Sequence, residues 1–362
     1  MTNEYLHYAT RLKTQKLFEL EDIYQTRSAT YTPILQNHFR TICQTIQKMQ
    51  ANKELGELSY LEYTLLYTNL IHGDHTAQVR AYGKDWYFDP RQCTVGSLDL
   101  SFFFIKYKEL WAELMSCRKR FAGAVSAQEA IAFLLSCAAS FFQYIAAAFR
   151  FSILPCLREE PFLSVRRADP FEINVGEYMA FTEAVYKENR TRTAQKTLDW
   201  FSLRLEFAYA YEDFSGLALP SADLSEIDLR YADLSHAVLH GADFQDALLF
   251  GTRFRHASLR DADFRYCQLH EADFTGADLT NASFRATEGF RGVPDCTEWL
   301  FPGYRSICFH NADLSHADFT RTKIRDADFT GAIMDGTILE RHTVKRLALS
   351  AEQRKAVRII DS

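Results

Sequence analysis

The sequence predicts an α+β N-terminal domain joined to an all-β solenoid, and three observations carry that expectation. Between Phe214 and Leu339 an apolar residue returns at every fifth position, a period that suits neither an α-helix nor a flat strand. Before that region, stretches with apolar residues spaced by threes and fours alternate with short segments rich in aromatic and β-branched residues. Ile131–Phe149, finally, runs without a formal charge for close to the length of a bilayer span.

Taken in order, NEYLHYATRLKTQKLFELEDIY reads as an amphipathic helix. A second begins where Thr32 caps and Pro33 takes the first helical position, with Leu35, Phe39, Ile42, Ile46 and Met49 as its core stripe. Residues 57–88 predict a β-hairpin turning at Gly73 and Asp74. His72, Asp74 and His75 cluster at that turn, but three residues at a hairpin tip without a fourth ligand converge poorly, so no metal is expected. Leu100–Phe121 predicts a helix, and Ser126 with Glu129 forms a capping box opening the next one. Ser136, Ser140 and Gln143 favour a buried core helix over Ile131–Phe149. Membrane contact is the alternative, with Arg118, Lys119 and Arg120 as its cytoplasmic flank. EINVGEY suggests a short strand. Thr182–Tyr211 reads as largely helical, with Leu198, Phe201, Leu205 and Tyr209 in a stripe that would cap the next domain's open end. The first domain is thus placed at 1–212, mixed α+β and mainly helical.

The repeat follows over 213–342. Leu239, Phe244, Leu249, Phe254, Leu259, Phe264, Leu269, Phe274, Leu279 and Phe284 are its central residues. Ala commonly stands two positions earlier, as at Ala242 and Ala262, and Asp between, as at Asp243 and Asp263. This pattern resembles the pentapeptide-repeat family, A(D/N)(L/F)xx. The resemblance implies a right-handed quadrilateral β-helix in which each five-residue unit forms one side and four units make a coil. Coils then stack at the strand spacing of about 4.8 Å, and each unit buries its apolar face only against its neighbours. Units twenty residues apart lie over one another, so the Leu/Phe alternation predicts stacked Phe columns (Phe244, Phe264, Phe284; Phe254, Phe274) on opposite faces. An inserted loop near 286–303 interrupts the pattern. Phe309, Phe319 and Phe329 resume the alternation, which requires about fifteen residues to leave the wall. The last segment, 343–362, predicts a C-terminal helix capped by Ser350 and Gln353. Its Val357, Ile359 and Ile360 would cover the last coil or meet a second copy in a homodimer.

The formal charge of -6 hides a division, since Asp213–His342 holds 21 acidic against 12 basic residues. That excess argues against direct binding of nucleic acid. Eight cysteines without CxxC spacing, and an N-terminus without a signal-peptide pattern, suggest a reducing cytoplasm. Cys267 stands in an Ala position and reads as a small buried thiol.

No nucleophile–base set, phosphate loop or cofactor motif stands out, so no enzyme and no cofactor are expected; activity or ligand binding in the N-terminal domain is the alternative. The expected partner is a protein, met by Trp299, Phe301, Tyr304 and Phe290 in and beside the insertion, because exposed aromatics dominate interface energy. A second reading follows from similarity to the quinolone-resistance pentapeptide proteins, whose acidic solenoids mimic DNA and engage type II topoisomerases. The acidic excess and the insertion agree with it; the many Arg and the large N-terminal domain do not.

Overall fold

Apolar spacing becomes a buried stripe in both leading helices: Tyr5, Ala9, Leu12 and Leu20 on α1 (Asn3–Thr26), and Leu35, Phe39, Ile42 and Ile46 on α2 (Ser28–Ala51). The computed structural model describes residues 2–88, 93–121, 123–291 and 305–361, which divide into two compact units, 2–188 and 189–291 with 305–361. Helix α2 starts at Ser28 rather than at Thr32, and Pro33 lies inside it. Tyr31 explains the earlier start: its hydroxyl donates to the carbonyl of Tyr24 (3.1 Å) and its ring stacks on Tyr24 at 6.0 Å, so packing orders the extra turn.

Five strands form the sheet of this unit: β1 (Leu58–Leu65), β2 (Thr76–Tyr82), β3 (Cys93–Asp99), β4 (Arg167–Glu177) and β5 (Thr182–Glu188), in the order β3-β2-β1-β4-β5. β1 and β2 pair antiparallel across 57–88, but the connection is no tight turn. A helical turn at Tyr67–Leu70 intervenes, and Asp74 accepts the Thr76 amide at 3.0 Å. β1 and β4 are parallel, which requires a long crossover. Helices α3 (Ile105–Arg118) and α4 (Ala127–Ile153) supply it. The helix expected from Leu100 begins only at Ile105, because Asp99 turns the chain first by accepting the Ser101 amide at 2.8 Å.

Ser126 and Glu129 complete the capping box of α4. That helix is long and apolar enough to cross a membrane by composition, yet Phe141, Tyr144, Ile145 and Phe149 are fully buried in the core of this unit. EINVGEY extends into the eleven-residue β4 because β1 and β5 flank it on both sides. Thr182–Tyr211 is not mainly helical. Its first part pairs with β4 as β5, and only α5 (Ala194–Phe201) is helix.

The second unit begins at Asn189, well before residue 213, because Phe201 and Tyr209 are buried in the solenoid's own core. Phe201 meets Phe214 at 5.0 Å. From there every side pairs in parallel with the side twenty residues on, as in Asp213↔Asp233 and Asp263↔Ser283. Corners fall every fifth residue in the left-handed region, from Tyr211 through Ala286 and again from Asn311. Asp braces them. The Oδ1 atoms of Asp233, Asp243, Asp273 and Asp313 accept the amide two residues on at 2.9, 2.9, 2.9 and 3.0 Å. The acid between Ala and Leu or Phe thus satisfies a corner amide that the coil leaves without a ladder partner.

Inside, all ten central residues from Leu239 to Phe284 are fully buried. Phe244, Phe264 and Phe284 stack at 4.8 and 5.0 Å, and Phe254 and Phe274 at 4.9 Å. Both columns continue past the insertion: Phe274 lies on Phe309 at 5.1 Å and Phe284 on Phe319 at 4.6 Å. The paired positions there are 35 residues apart instead of 20, as in Ser283↔Asp318. A size exchange marks the same coil. Gly289 stands where the repeat puts Leu, and Ile307 stands where it puts Ala. A Cβ on Gly289 would meet Ile307 Cδ1 at 2.2 Å.

The C-terminal segment is not one helix. After β6 (Ile338–Glu340) come the short α6 (Arg341–Arg346) and α7 (Ala351–Ala356), and then β7 (Arg358–Ile360). β7 pairs with β6 in the same register of twenty, Ile338↔Arg358, so the coil's pairing rule overrides helix propensity at its end. Gln353 Nε2 donates to the carbonyls of Phe329 (2.7 Å) and Ala332 (3.0 Å) in the last coil.

Candidate partner-binding surface

Residues one position after the central Leu or Phe point outward, and on one face they form a column of Phe250, His270, Phe290 and Arg325. The Phe250 and His270 rings stack at 5.3 Å. Phe290 meets His270 edge-on at 4.5 Å, and the Arg325 guanidinium lies 5.0 Å from its centroid. His270 Nδ1 lies 3.2 Å from the carbonyl oxygen and 3.3 Å from the amide nitrogen of Phe290. Burial pushes the His270 imidazole below its usual range. Phe290 is therefore seated against the wall and half-buried. Trp299, Phe301 and Tyr304 lie outside the described residues.

The far end of the interruption is held by the next residue along. Glu271 Oε1 accepts the Arg305 amide at 2.7 Å, and the Glu271 amide donates back to the Arg305 carbonyl at 3.2 Å. The Tyr231 hydroxyl, two coils below, reaches Glu271 Oε2 at 3.4 Å after its ring has passed over Gly251, whose φ of +60° and missing Cβ make the room. Chain departure and return are thus fixed by consecutive residues, His270 and Glu271, at one corner. Sequence reasoning missed both. For His270 the signal was the recurrence of a ring at every twentieth residue, Phe250, His270 and Phe290, which appears only when the repeat is read by coils; Glu271 had none.

Five arginines of the wall are matched by aspartates within it. Arg230 pairs with Asp228 (2.6 Å), Arg265 with Asp263 (2.6 Å), Arg253 with Asp233 (2.9 Å), Arg260 with Asp278 (3.3 Å) and Arg255 with Asp273 (3.5 Å). The acidic excess is consequently no free row of carboxylates, since many of the same Asp also hold corner amides.

In the N-terminal unit a further polar centre had not been singled out. Tyr60, Glu62 and Thr64 alternate with the core residues Leu61, Tyr63 and Leu65 along β1. Glu62 is fully buried and accepts from Trp86 Nε1 (2.7 Å) and the Tyr87 hydroxyl (3.0 Å). Trp86 stacks between Tyr60 (5.2 Å) and Tyr87 (4.7 Å). Burial pushes the Glu62 carboxyl up, against the pull of its two donors. Arg80, opposite Glu62 on β2, donates to Thr64 Oγ1 (3.0 Å) and lies 4.0 Å over Tyr178. This arrangement straps the segment around Trp86 onto the sheet. Among the described residues no three His, Cys, Asp or Glu side chains are placed to hold a metal. His75 is buried beneath Phe104, 5.4 Å between rings, and Asp74 is engaged with Thr76.

Comparison with known proteins agrees with the repeat. A family profile described as "Pentapeptide repeat region" matches residues 213–288, and one described as "Pentapeptide repeats (8 copies)" matches residues 309–341. No curated protein matches the chain. Among solved structures, the pentapeptide repeat protein Rfr23 from the cyanobacterium Cyanothece 51142 is 18% identical over 39% of this chain and 100% of its own, with a TM-score of 0.31. Full-length QnrB1, a plasmid-mediated fluoroquinolone resistance protein, is 15% identical over 41% and 89%, with a TM-score of 0.20. HetL from Nostoc sp. strain PCC 7120, a pentapeptide repeat protein involved in heterocyst differentiation regulation, is 19% identical over 41% and 97%, with a TM-score of 0.14.

Proposed function

Residues 213–341 belong to the pentapeptide-repeat family, and from that premise we propose that the chain is a non-enzymatic, cytoplasmic adaptor. Its solenoid, a right-handed quadrilateral rod closed at its far end by residues 343–362, carries an inserted segment to a protein partner. One observation supports this reading above others. The Phe columns run on without a gap while His270 and Glu271 pin both ends of the interruption, so the inserted residues are not needed to build the rod. A segment that a rigid scaffold does not need is free to serve recognition. Phe290 then belongs to the base of the site, and Trp299, Phe301 and Tyr304 are its anchors.

The test is capture from the native cytoplasm with the full chain, with a variant in which residues 292–304 are replaced by Gly and Ser, and with Trp299→Ala. Far-UV circular dichroism verifies that the solenoid persists in each. A partner that is lost with the replacement and weakened by Trp299→Ala supports the adaptor. Equal capture by all three chains overturns it. A type II topoisomerase captured in a salt-sensitive way, independent of the insertion, would instead support the DNA-mimic reading. The solenoid's net acidity favours that reading, and its internal Asp–Arg pairing weighs against it.

A further inference from the structure

Arginines on the solenoid follow a rule. One that stands just after a central residue folds back onto the Asp just before it, as Arg230 does on Asp228 and Arg265 on Asp263. Where that place lacks an acid, Arg255 and Arg260 reach Asp273 and Asp278 of the next coil, whereas Arg285 makes no such pair although Asp318 stands in the matching place. On one face the acid column reads Asp223, Asp243, Asp263, Ser283, Asp318 and Ile338, so it fails at Ser283 and again at Ile338. Basic residues do not fail with it. Arg285 follows Ser283, Arg321 holds the next corner, and Arg358 pairs by backbone with Ile338.

Among the described residues these three arginines make no ion pair and no side-chain hydrogen bond, and all three are exposed. They line one groove of about 500 Å³ together with Thr320, Ile338 and Ile360. Three carboxylates share the groove, each with a neighbour. Asp318 accepts the Thr320 amide at 2.9 Å, Asp361 pairs with Arg341 at 2.6 Å, and Glu340 is buried with His342 Nε2 3.6 Å away. Three guanidiniums and three carboxylates therefore line the groove, but the carboxylates are each engaged, Asp361 by Arg341 from outside the lining, whereas the three arginines are not.

We propose that this groove binds a phosphate oxyanion, either a phosphate monoester or a pyrophosphate. Guanidinium presents paired planar donors that match phosphate oxygens, and several unpaired guanidiniums lining one groove suit a dianion better than a single carboxylate. The Thr320 hydroxyl adds a donor, and Ile338 and Ile360 offer an apolar flank for the organic part of an ester. The site stands apart from the adaptor reading, since none of its residues belongs to the insertion or its anchoring corner.

Calorimetric titration of the full chain tests it, with pyrophosphate, a phosphoserine peptide and the same peptide without phosphate as probes, each at low and high salt. Pyrophosphate should bind and weaken with salt, while the unphosphorylated peptide should not bind. Binding of the phosphopeptide as well would identify the natural source as a phosphorylated side chain; pyrophosphate alone would point to a small phosphate compound. Arg285→Gln, Arg321→Gln and Arg358→Gln together should weaken binding by about tenfold or more. Arg260→Gln, which lies outside the groove, should leave it unchanged. A mutation-free readout is protection of the three arginines from phenylglyoxal by pyrophosphate, mapped by mass spectrometry. No binding by the native chain, equal binding by the triple variant, or protection spread evenly over the solenoid's arginines overturns the proposal.

Discussion

Gly289 and Ile307 exchange the sizes that the repeat normally assigns, and that exchange can be reversed by mutation. A Cβ built on Gly289 falls 2.2 Å from Ile307 Cδ1 and 3.0 Å from Cγ1, well inside contact distance. Gly289→Leu alone must therefore displace a side chain that is itself fully buried, an overpacking expected to cost about 1–3 kcal/mol. Ile307→Ala alone empties the space above Gly289 and should cost about 2–5 kcal/mol. Combining them restores Leu at the central position and Ala two places before Phe309, the arrangement of most other units. The double variant should then be less destabilised than the sum of the singles by about 1–3 kcal/mol, a coupling reserved for side chains in direct contact. The assay is urea unfolding followed by circular dichroism, with hydrogen exchange on peptides spanning Leu269 and Phe309 to localise the change. In a melt each kcal/mol corresponds to about 2–4 °C for a unit of this size. Strictly additive effects would refute the idea that the two residues share one packing site.

Three further expectations follow from the same geometry. Asp313 accepts both the amide and the hydroxyl of Ser315, so Asp313→Ala should lower solenoid stability by about 1–2 kcal/mol, whereas Asp313→Asn, which keeps an acceptor, should lose much less in the same unfolding assay. Burial raises the Glu62 carboxyl above its ordinary 4.5. The protonated form thus favours the fold: this contribution is fully present below the unfolded value and is lost as pH rises through the folded one. Glu62→Gln should flatten that decline, and an identical pH dependence of N-terminal-unit stability in both chains would contradict it. Cys267 is buried in an Ala position, donates to the Phe244 carbonyl at 2.8 Å and has its thiol pushed far up by burial. It should resist a thiol reagent at pH 8 in the native chain and react once urea unfolds it.

The solenoid was legible because each unit buries its Leu or Phe only against the units beside it, so position in the sequence is nearly position in space. A plain count would have put Phe309 on a Leu face; its own continuation through Phe319 and Phe329 pointed to a Phe face, and the structure stacks it on Phe274 across the interruption. The N-terminal unit lacks that property. Glu62 becomes a buried acceptor only when Trp86, twenty-four residues on, returns over β1, and β4 reaches its length only between β1 and β5. Thr182–Glu188 carries enough polar residues to pass for a helix until β4 offers it an edge. The same limit explains the C-terminus, where helix-forming AEQRKA is followed, after Val357, by three residues that join Ile338–Glu340 as a strand.

The acidity of the solenoid shows how composition misleads when backbone needs are ignored. Each uninterrupted coil turns four corners in the left-handed region, and many of these corners leave an amide pointing away from the ladder. Asp is short enough to reach that amide from two residues earlier, which Glu is not, so the repeat accumulates Asp for a backbone reason before any partner is considered. Arg then enters at the outward position beside it and offsets much of the charge. The informative sites on such a wall are the places where this pairing fails. Ser283 and Ile338 stand at one of them, and the arginines left there are charges that the fold itself does not use.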